Sequence, residues 1–271
     1  PELVDYNETF PLTEDGAKLL GVTPGTPVLL SNPDGAMNQT GSGGLKSGVM
    51  TVSVGTSSAL RMSVANAVLP EEPHTWCYLS PKGYLAGAAI SGGCSSIEWF
   101  REKIAQNAPY EQLECREDVD TPVFLPFLYG ERCPGENEER SGGFYGLKPY
   151  HDRRSMYQAV QEGVLFNLRQ GYEELCRICG EPQGIRLSGG ILHSPEWSQM
   201  CADIFEREIS IEENPQCSLQ GGVVLAMDVL GCCPAEAFEA ETKGIIVPLA
   251  EHTGHYREKY QRYLEIYRSA Q

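Results

Sequence analysis

Between Val28 and Leu60 the chain reads VLLSNPDGAMNQTGSGGLKSGVMTVSVGTSSAL, and this stretch constrains the fold more than any other. The apolar run Val28-Leu29-Leu30 predicts a buried strand that delivers Asp34 and Gly35 to its C-terminal end. Met50 to Val54 then alternates like a half-buried strand, breaks at Gly55-Thr56-Ser57, and resumes at Leu60-Arg61-Met62. A turn of Gly, Thr and Ser between two strands offers backbone N–H groups and hydroxyls to an anion, and the glycine lets the backbone approach it closely. A carboxylate in one loop and a phosphate-type turn in the next point to phosphoryl transfer. The pairing alone leaves the ordinary reading open, because many hairpins carry Gly-Thr-Ser and most loop aspartates are turn formers.

The remaining segments alternate between strand and helix patterns, with hairpins early and βα units late, which predicts an α/β fold with a mixed sheet. Thr13 caps a short helix ending near Leu20, and Gly21 to Thr26 turns the chain into the first strand. Thr75–Leu79 and Gly83–Ile90 form a hairpin around Pro81-Lys82-Gly83, followed by Gly92 and Gly93. A helix from about Ser95 to Ala105 has Ile97, Phe100 and Ile104 as its apolar stripe. Glu131 and Arg132 read as an ion pair anchoring a loop. The longest helix runs from about Asp152 to Cys179, with Ser155 as a sound cap and Gly180 at its end. Its stripe of Met156, Val160, Val164, Leu168, Tyr172 and Leu175 is core.

A second glycine pair follows the short strand Ile185–Ser188, and Ser194-Pro195-Glu196 then opens a helix with a capping Ser, Pro in first position and an early acid. A strand, two glycines and a helix N-terminus can receive a nucleotide, since no side chain projects between backbone and ligand. Further on come a strand at Ile209–Ile211, a helix over Leu219–Leu230 and an edge-like run at Ile245–Pro248. Tyr256, Tyr260, Tyr263 and Tyr267 recur on one face of the closing helix, spacing that signals packing, with His252 and His255 expected to be solvated.

The formal charge of −16 over 271 residues argues against nucleic acid or an anionic membrane as a partner. It does not argue against ATP, because a glycine-rich site and Mg²⁺ override the global field locally. No apolar run reaches the ~18–20 residues of a bilayer span, nothing resembles a signal peptide, and a cytoplasmic setting is expected. The chain begins at Pro1 rather than Met, which leaves the natural N-terminus open. The ten cysteines, Cys115 among them, are scattered or lack a second pair or His at ligand spacing, so reduced and mostly buried thiols are expected in place of disulfides or a zinc site.

Taken in order, PVLLSNPDGAMNQTGSG and TVSVGTSSAL resemble the opening of the C-terminal domain of the FGGY family of carbohydrate kinases. There a strand ending in Gly-Asp is followed by a Leu-Gly-Thr-Ser hairpin. The segment Val123 to Pro134 is similar to the family's P-x-L-x-G-E-R-x-P, and Arg140 to Leu147 to its R-G-x-F-x-G-L. Gly189 to Ser194 is similar to its adenosine-binding G-G-x-x-x-[NS]. The chain departs from the family's second signature at Ser155, and the likeness covers nearly its whole length.

The resemblance implies an actin-like ATPase (ribonuclease H-like) domain, a mixed sheet flanked by helices. Residues 27–271 would be the ATP-binding domain, and residues 1–26 the tail of a missing N-terminal sugar-binding lobe. Asp34 would be the catalytic base, Gly55, Thr56 and Ser57 the hairpin over the ATP phosphates, and Gly93 a neighbour of the nucleotide. Gly189, Gly190 and Ser194 would bind adenosine. The cofactors would be ATP and Mg²⁺, the main metal ligand lying in the missing lobe, since the chain carries no Asp-x-Gly-Thr loop. The implied acceptor is a sugar, sugar acid or polyol. Asp34-Gly-x-x-Asn38-x-x-Gly41 with SVGTSSALR leans toward gluconate over xylulose or glycerol. A homodimer is a candidate assembly. The competing class is a non-catalytic actin-like nucleotide-binding domain, against which Asp34 and the Glu131-Arg132-x-Pro134 segment speak.

Overall fold

The computed structural model describes residues 4–46, 48–72, 74–113, 120–214 and 216–270; Pro1 and Cys115 lie outside the described residues. In chain order it begins with β1 (Thr9–Pro11), α1 (Glu14–Leu20) and β2 (Pro27–Leu29). α2 (Asp34–Gly41) follows, then the strands β3 (Val49–Val54), β4 (Ser58–Val64), β5 (Trp76–Ser80) and β6 (Gly83–Ile90). After α3 (Cys94–Trp99) come β7 (Val123–Leu125), β8 (Gly143–Tyr145) and α4 (Arg153–Cys179). The chain closes with β9 (Gly184–Ser188), α5 (Pro195–Phe205), β10 (Ile209–Glu212), α6 (Cys217–Val229), β11 (Thr242–Ile246) and α7 (Ala250–Ser269).

Seven strands form one sheet in the order β11-β10-β9-β3-β4-β6-β5. β10, β9 and β3 run parallel and the other pairs antiparallel, so the sheet is mixed as expected. Alternation gives the sheet two different faces. On one, Met50, Val52, Val54, Leu60 and Ile90 are wholly buried beneath α4, and α5 and α7 stack behind that helix. A Cβ on Gly171 of α4 would sit 3.1 Å from Ala88 Cβ and Leu60 Cδ1, so this glycine sets how closely the helix lies on the strands. The other face is polar: Thr51 donates to Gln39 Oε1 (2.6 Å), and Gln39 Nε2 donates to Gly44 O (2.8 Å). This face belongs to α2, which packs backbone to backbone on α6. A Cβ on Gly41 would lie 1.8 Å from Cys217 O, and one on Gly221 2.0 Å from Met37 O.

Several expectations are met in detail. Thr13 Oγ1 accepts from Gly16 N (3.2 Å) to cap α1, and Gly21 stops it at φ 69°. Tyr256, Tyr260 and Tyr263 of α7 are buried, their hydroxyls satisfied where they reach α4: Tyr263 donates to Gln170 Oε1 at 3.0 Å and Tyr260 to Glu173 Oε2 at 2.9 Å. The nine described cysteines are free thiols, but only Cys133, Cys201 and Cys217 among them are buried, so the expectation of mostly buried thiols is not met. Burial pushes Cys133 and Cys201 up to about 12.

Others are corrected. Val28-Leu29-Leu30 is not a buried strand: β2 pairs only with β1 in a separate two-stranded sheet, and Val28 and Leu30 are exposed. Asp34 is the first residue of α2 and not part of a loop. Ile104 leaves the apolar stripe because α3 continues as a π-turn over Phe100–Ile104. The wider turn rotates the following residues, so that Ala105 is buried and Ile104 exposed. Asp152, not Ser155, caps α4, its Oδ1 accepting from the N–H groups of Arg154 (2.9 Å) and Ser155 (3.0 Å). Glu131 pairs with Arg140 (2.8 Å) and not with the exposed Arg132. His252 is held by Asp203 through Nδ1 at 3.0 Å rather than freely solvated.

Candidate functional site

Three backbone segments meet where the β3–β4 hairpin turns. Gly55, Thr56 and Ser57 form the tip, and the side chains of Thr56 and Ser57 are exposed. The N-terminus of α3 is tied to that tip, with Cys94 N donating to Gly55 O (2.7 Å) and Ser95 N to Thr56 O (3.2 Å). Gly93 permits the approach, since a Cβ there would lie 2.5 Å from Gly55 O and 2.9 Å from Thr56 O. The third segment is Gly189-Gly190, at the C-terminal end of β9. Gly189 adopts φ +97° and would drive a Cβ to 2.5 Å from Val54 O. A Cβ on Gly190 would meet Cys94 Sγ at 2.7 Å. Gly93, Gly189 and Gly190 are therefore what allows hairpin, helix terminus and strand end to touch. Gly55 has only Ser57 O near its Cβ position, at 3.7 Å, so sterics alone do not demand glycine there.

Beside this junction, between α3 and the start of α5, opens a cavity of about 630 Å³, within the range of small-molecule sites. Gly190 and Ser194 line it together with Cys94, Ile97, Tyr110 and Tyr157. Ser194 Oγ accepts from Trp197 N (3.2 Å), so its oxygen caps α5. Tyr110 forms part of the wall and is latched in place: its hydroxyl donates to Glu98 Oε2 (2.8 Å), which also accepts from Arg101 Nε (3.0 Å). The Arg101 and Tyr110 hydrogen bonds hold the Glu98 carboxyl down to about 2. The sequence shows Ile97 only as part of an apolar stripe and does not single out Cys94, Tyr110 or Tyr157 for this site. Cys94 and Ile97 share α3, but Tyr110 and Tyr157 come from separate segments that no spacing rule links to it.

Asp34 lies on the other, α2 face of the sheet. It is exposed, and its Oδ1 accepts from Gly35 N (2.7 Å). An acid in the first turn suits the positive end of the helix dipole. Beneath it is Arg61 of β4, which donates through Nη1 to Ser53 Oγ (3.1 Å). Burial lowers the Arg61 pKa, while the charges of Tyr78 and Asp34 act in the opposite direction. The structure thus brings Gly55, Thr56, Gly93, Gly189 and Gly190 together at one junction, and Gly190 and Ser194 line the cavity beside it. Asp34 stands on the α2 face of the sheet near Arg61, whose Nη1 donates to Ser53 Oγ of β3.

Among the described residues no cluster of three His, Cys, Asp or Glu could hold a metal ion. Mg²⁺ binds through one or two carboxylates, waters and substrate phosphates instead of an all-protein cage. The exposed hydroxyls of Thr56 and Ser57 beside the open cavity fit a metal that arrives with a polyphosphate.

The mixed sheet with helices on both faces, beside whose glycine-lined junction the cavity opens, has the actin-like ATPase fold of the carbohydrate kinases that superpose on it. The model of the FGGY family of carbohydrate kinases, C-terminal domain, matches residues 50–228, and the chain belongs to this family. A gluconokinase of Bacillus licheniformis is 30% identical over 232 residues, which cover 79% of this chain and 45% of the relative. The ligand-bound xylulose kinase from Lactobacillus acidophilus superposes with TM-score 0.92 at 27% identity, over 99% of this chain and 57% of that one. The gluconate kinase from Lactobacillus acidophilus superposes with TM-score 0.87 at 27% identity and the same coverage. The chain thus spans about half the length of the proteins it matches.

Proposed function

We propose that these residues form the ATP-side half of a kinase that phosphorylates a hydroxyl of a sugar or sugar acid, with gluconate the favoured acceptor. The observation that carries this reading is the junction of Gly55–Ser57, Gly93 and Gly189-Gly190 beside a cavity of about 630 Å³, with Asp34 across the sheet. On this reading adenosine occupies the cavity against Gly190 and Ser194, and the phosphates pass over the hairpin tip. The backbone and hydroxyls of Gly55, Thr56 and Ser57 then stabilise charge on the transferring group. Mg²⁺, when bound with ATP, would neutralise phosphate charge near this tip. Asp34 accepts the proton of the acceptor hydroxyl as the O–P bond forms. It is well placed to do so, because Gly35 N holds Oδ1 while Oδ2 has no hydrogen-bond partner among the described residues.

Residues 1–26 would then be the tail of an N-terminal sugar-binding lobe and residues 27–271 the ATP-binding domain. Exposed Leu19 and Leu20 on α1 and Leu219, Val223 and Met227 along α6 fit surfaces that a second lobe covers. No helix among the described residues is long and apolar enough to cross a membrane, in keeping with a cytoplasmic enzyme. Two gluconokinases, from Bacillus licheniformis and Bacillus subtilis (strain 168), at 30% identity favour gluconate, and the likeness to xylulose kinases makes xylulose the alternative.

The test is coupled ADP release by the full-length polypeptide across gluconate, xylulose and glycerol. Gluconate is expected to give the highest kcat/KM, and Asp34→Asn to lower kcat by ~10²–10⁴ while ATP affinity holds. Retention of more than about a third of wild-type kcat in that variant would remove Asp34 as the base.

A further inference from the structure

Arg61 of β4 lies against Gly35, the residue after Asp34, and three elements meet on it. Its Nη1 donates to Ser53 Oγ (3.1 Å), two residues before the Gly55–Ser57 turn on the same strand. Its Nε is buried with no hydrogen-bond partner among the described residues and lies against the first turn of α2. That approach exists because residue 35 is glycine: a Cβ there would be 2.9 Å from Arg61 Nε and 2.7 Å from the Tyr78 hydroxyl. The effect of burial on the guanidinium is opposed first by Tyr78, through charge and a hydrogen bond, and also by the charge of Asp34. A cation beneath a helix N-terminus is opposed by the helix dipole, so the arrangement depends on the carboxylate of Asp34 at that same terminus. A purely structural side chain here could be apolar at lower cost, since burying a guanidinium is expensive unless a negative partner requires it.

From this geometry we propose that Arg61 is a positioning residue that fixes Asp34 relative to the Gly55–Ser57 turn. The proposal rests on the reading of Asp34 as the catalytic base. Nη1 is anchored to β3 through Ser53 and Nε packs under Gly35 in the first turn of α2, while the guanidinium charge acts on the Asp34 carboxylate from beyond ion-pair contact. Base and phosphate turn then move as one body when the acceptor arrives. A misplacement of ~1 Å between base and phosphate can cost ~10²-fold in rate, which gives such a strut its value. Lysine carries the charge but lacks the planar fork, so it should restore only part of the effect.

The test is a double-mutant cycle of Asp34→Asn and Arg61→Met in the full-length polypeptide, with Arg61→Lys alongside. Arg61→Met is expected to lower kcat by about 10–100-fold with the KM for ATP within about 3-fold, and by less than about 2-fold in the Asp34→Asn background. Arg61→Lys should recover part of the loss. Equal costs of Arg61→Met in both backgrounds, or no cost in either, would overturn the proposal. If Arg61→Met does not fold, the cycle is run with Arg61→Lys on the same criterion. An Asp34→Asn variant of undiminished kcat would instead overturn the assignment of the base, an outcome read from the single variant alone.

Discussion

At the scale of single residues, the glycines carry the tightest constraint and the sharpest prediction. Gly190 lines the cavity and abuts Cys94, with no room for even a Cβ unless the thiol shifts. Gly190→Val places a branched side chain at the mouth of the proposed adenosine site. It is expected to weaken ATP binding by at least about 10-fold, a difference of ~1.4 kcal/mol, and to leave acceptor affinity unchanged. Calorimetric titration of ATP into a variant whose melting transition stays cooperative checks this, and unchanged ATP affinity would contradict the site. The pair was visible in the sequence as two glycines between a strand and a helix. Its steric reason was not, because the partner backbone of Val54 and the Cys94 thiol come from distant elements.

At the scale of elements, what could be read in advance was whatever a local pattern encodes. The β3–β4 hairpin follows from alternation interrupted by three turn residues, and α5 from Ser194, Pro195 and Glu196 at its start. α2 was missed because Asp-Gly-Ala-Met-Asn-Gln-Thr-Gly is a poor helix former. Its helicity comes from the Gly41–Gly221 contact with α6, a tertiary term. Val28 to Leu30 misled because an apolar run does not reveal whether a second layer lies over it. The partner of Glu131 was equally hidden. Adjacent Arg132 points to solvent, while Arg140 reaches back to Glu131 Oε2 and also donates to Ala270 O (2.7 Å) at the end of α7. Tyr267 adds its hydroxyl to Glu131 Oε1 (2.5 Å), so the loop after β7 clamps the last turn of α7. Glu131→Gln leaves the Arg140 charge without its buried partner and should cost about 3 kcal/mol. Urea unfolding monitored by far-UV circular dichroism would measure it. A loss below about 1 kcal/mol would mean that solvent replaces the pair and the clamp is weak.

At the scale of the whole molecule, the question is what these 271 residues do alone. One hydrophobic cluster runs from Met50 on β3 through α4 to Tyr263 on α7, so the core is complete within the chain and independent folding is expected. The proposed adenosine cavity and hairpin tip are also built wholly from these residues, and ATP should therefore bind. It should bind about 10–100-fold more weakly than to the full-length polypeptide if, as proposed, a second lobe supplies phosphate contacts, each factor of ten being ~1.4 kcal/mol. Transfer is a different matter. On the proposed reading it needs the acceptor held within reach of Asp34 and water kept away, and Asp34 is exposed on its face of the sheet. α1 and α6 present Leu19, Leu20, Leu219 and Val223 to solvent, the surfaces that the proposed second lobe would cover. The isolated chain is thus expected to titrate with ATP in a calorimeter and to release no ADP in response to gluconate, xylulose or glycerol. Acceptor-dependent turnover by these residues alone would show that the sugar site lies within them, and the division into an ATP-side half and a sugar-side half would fall.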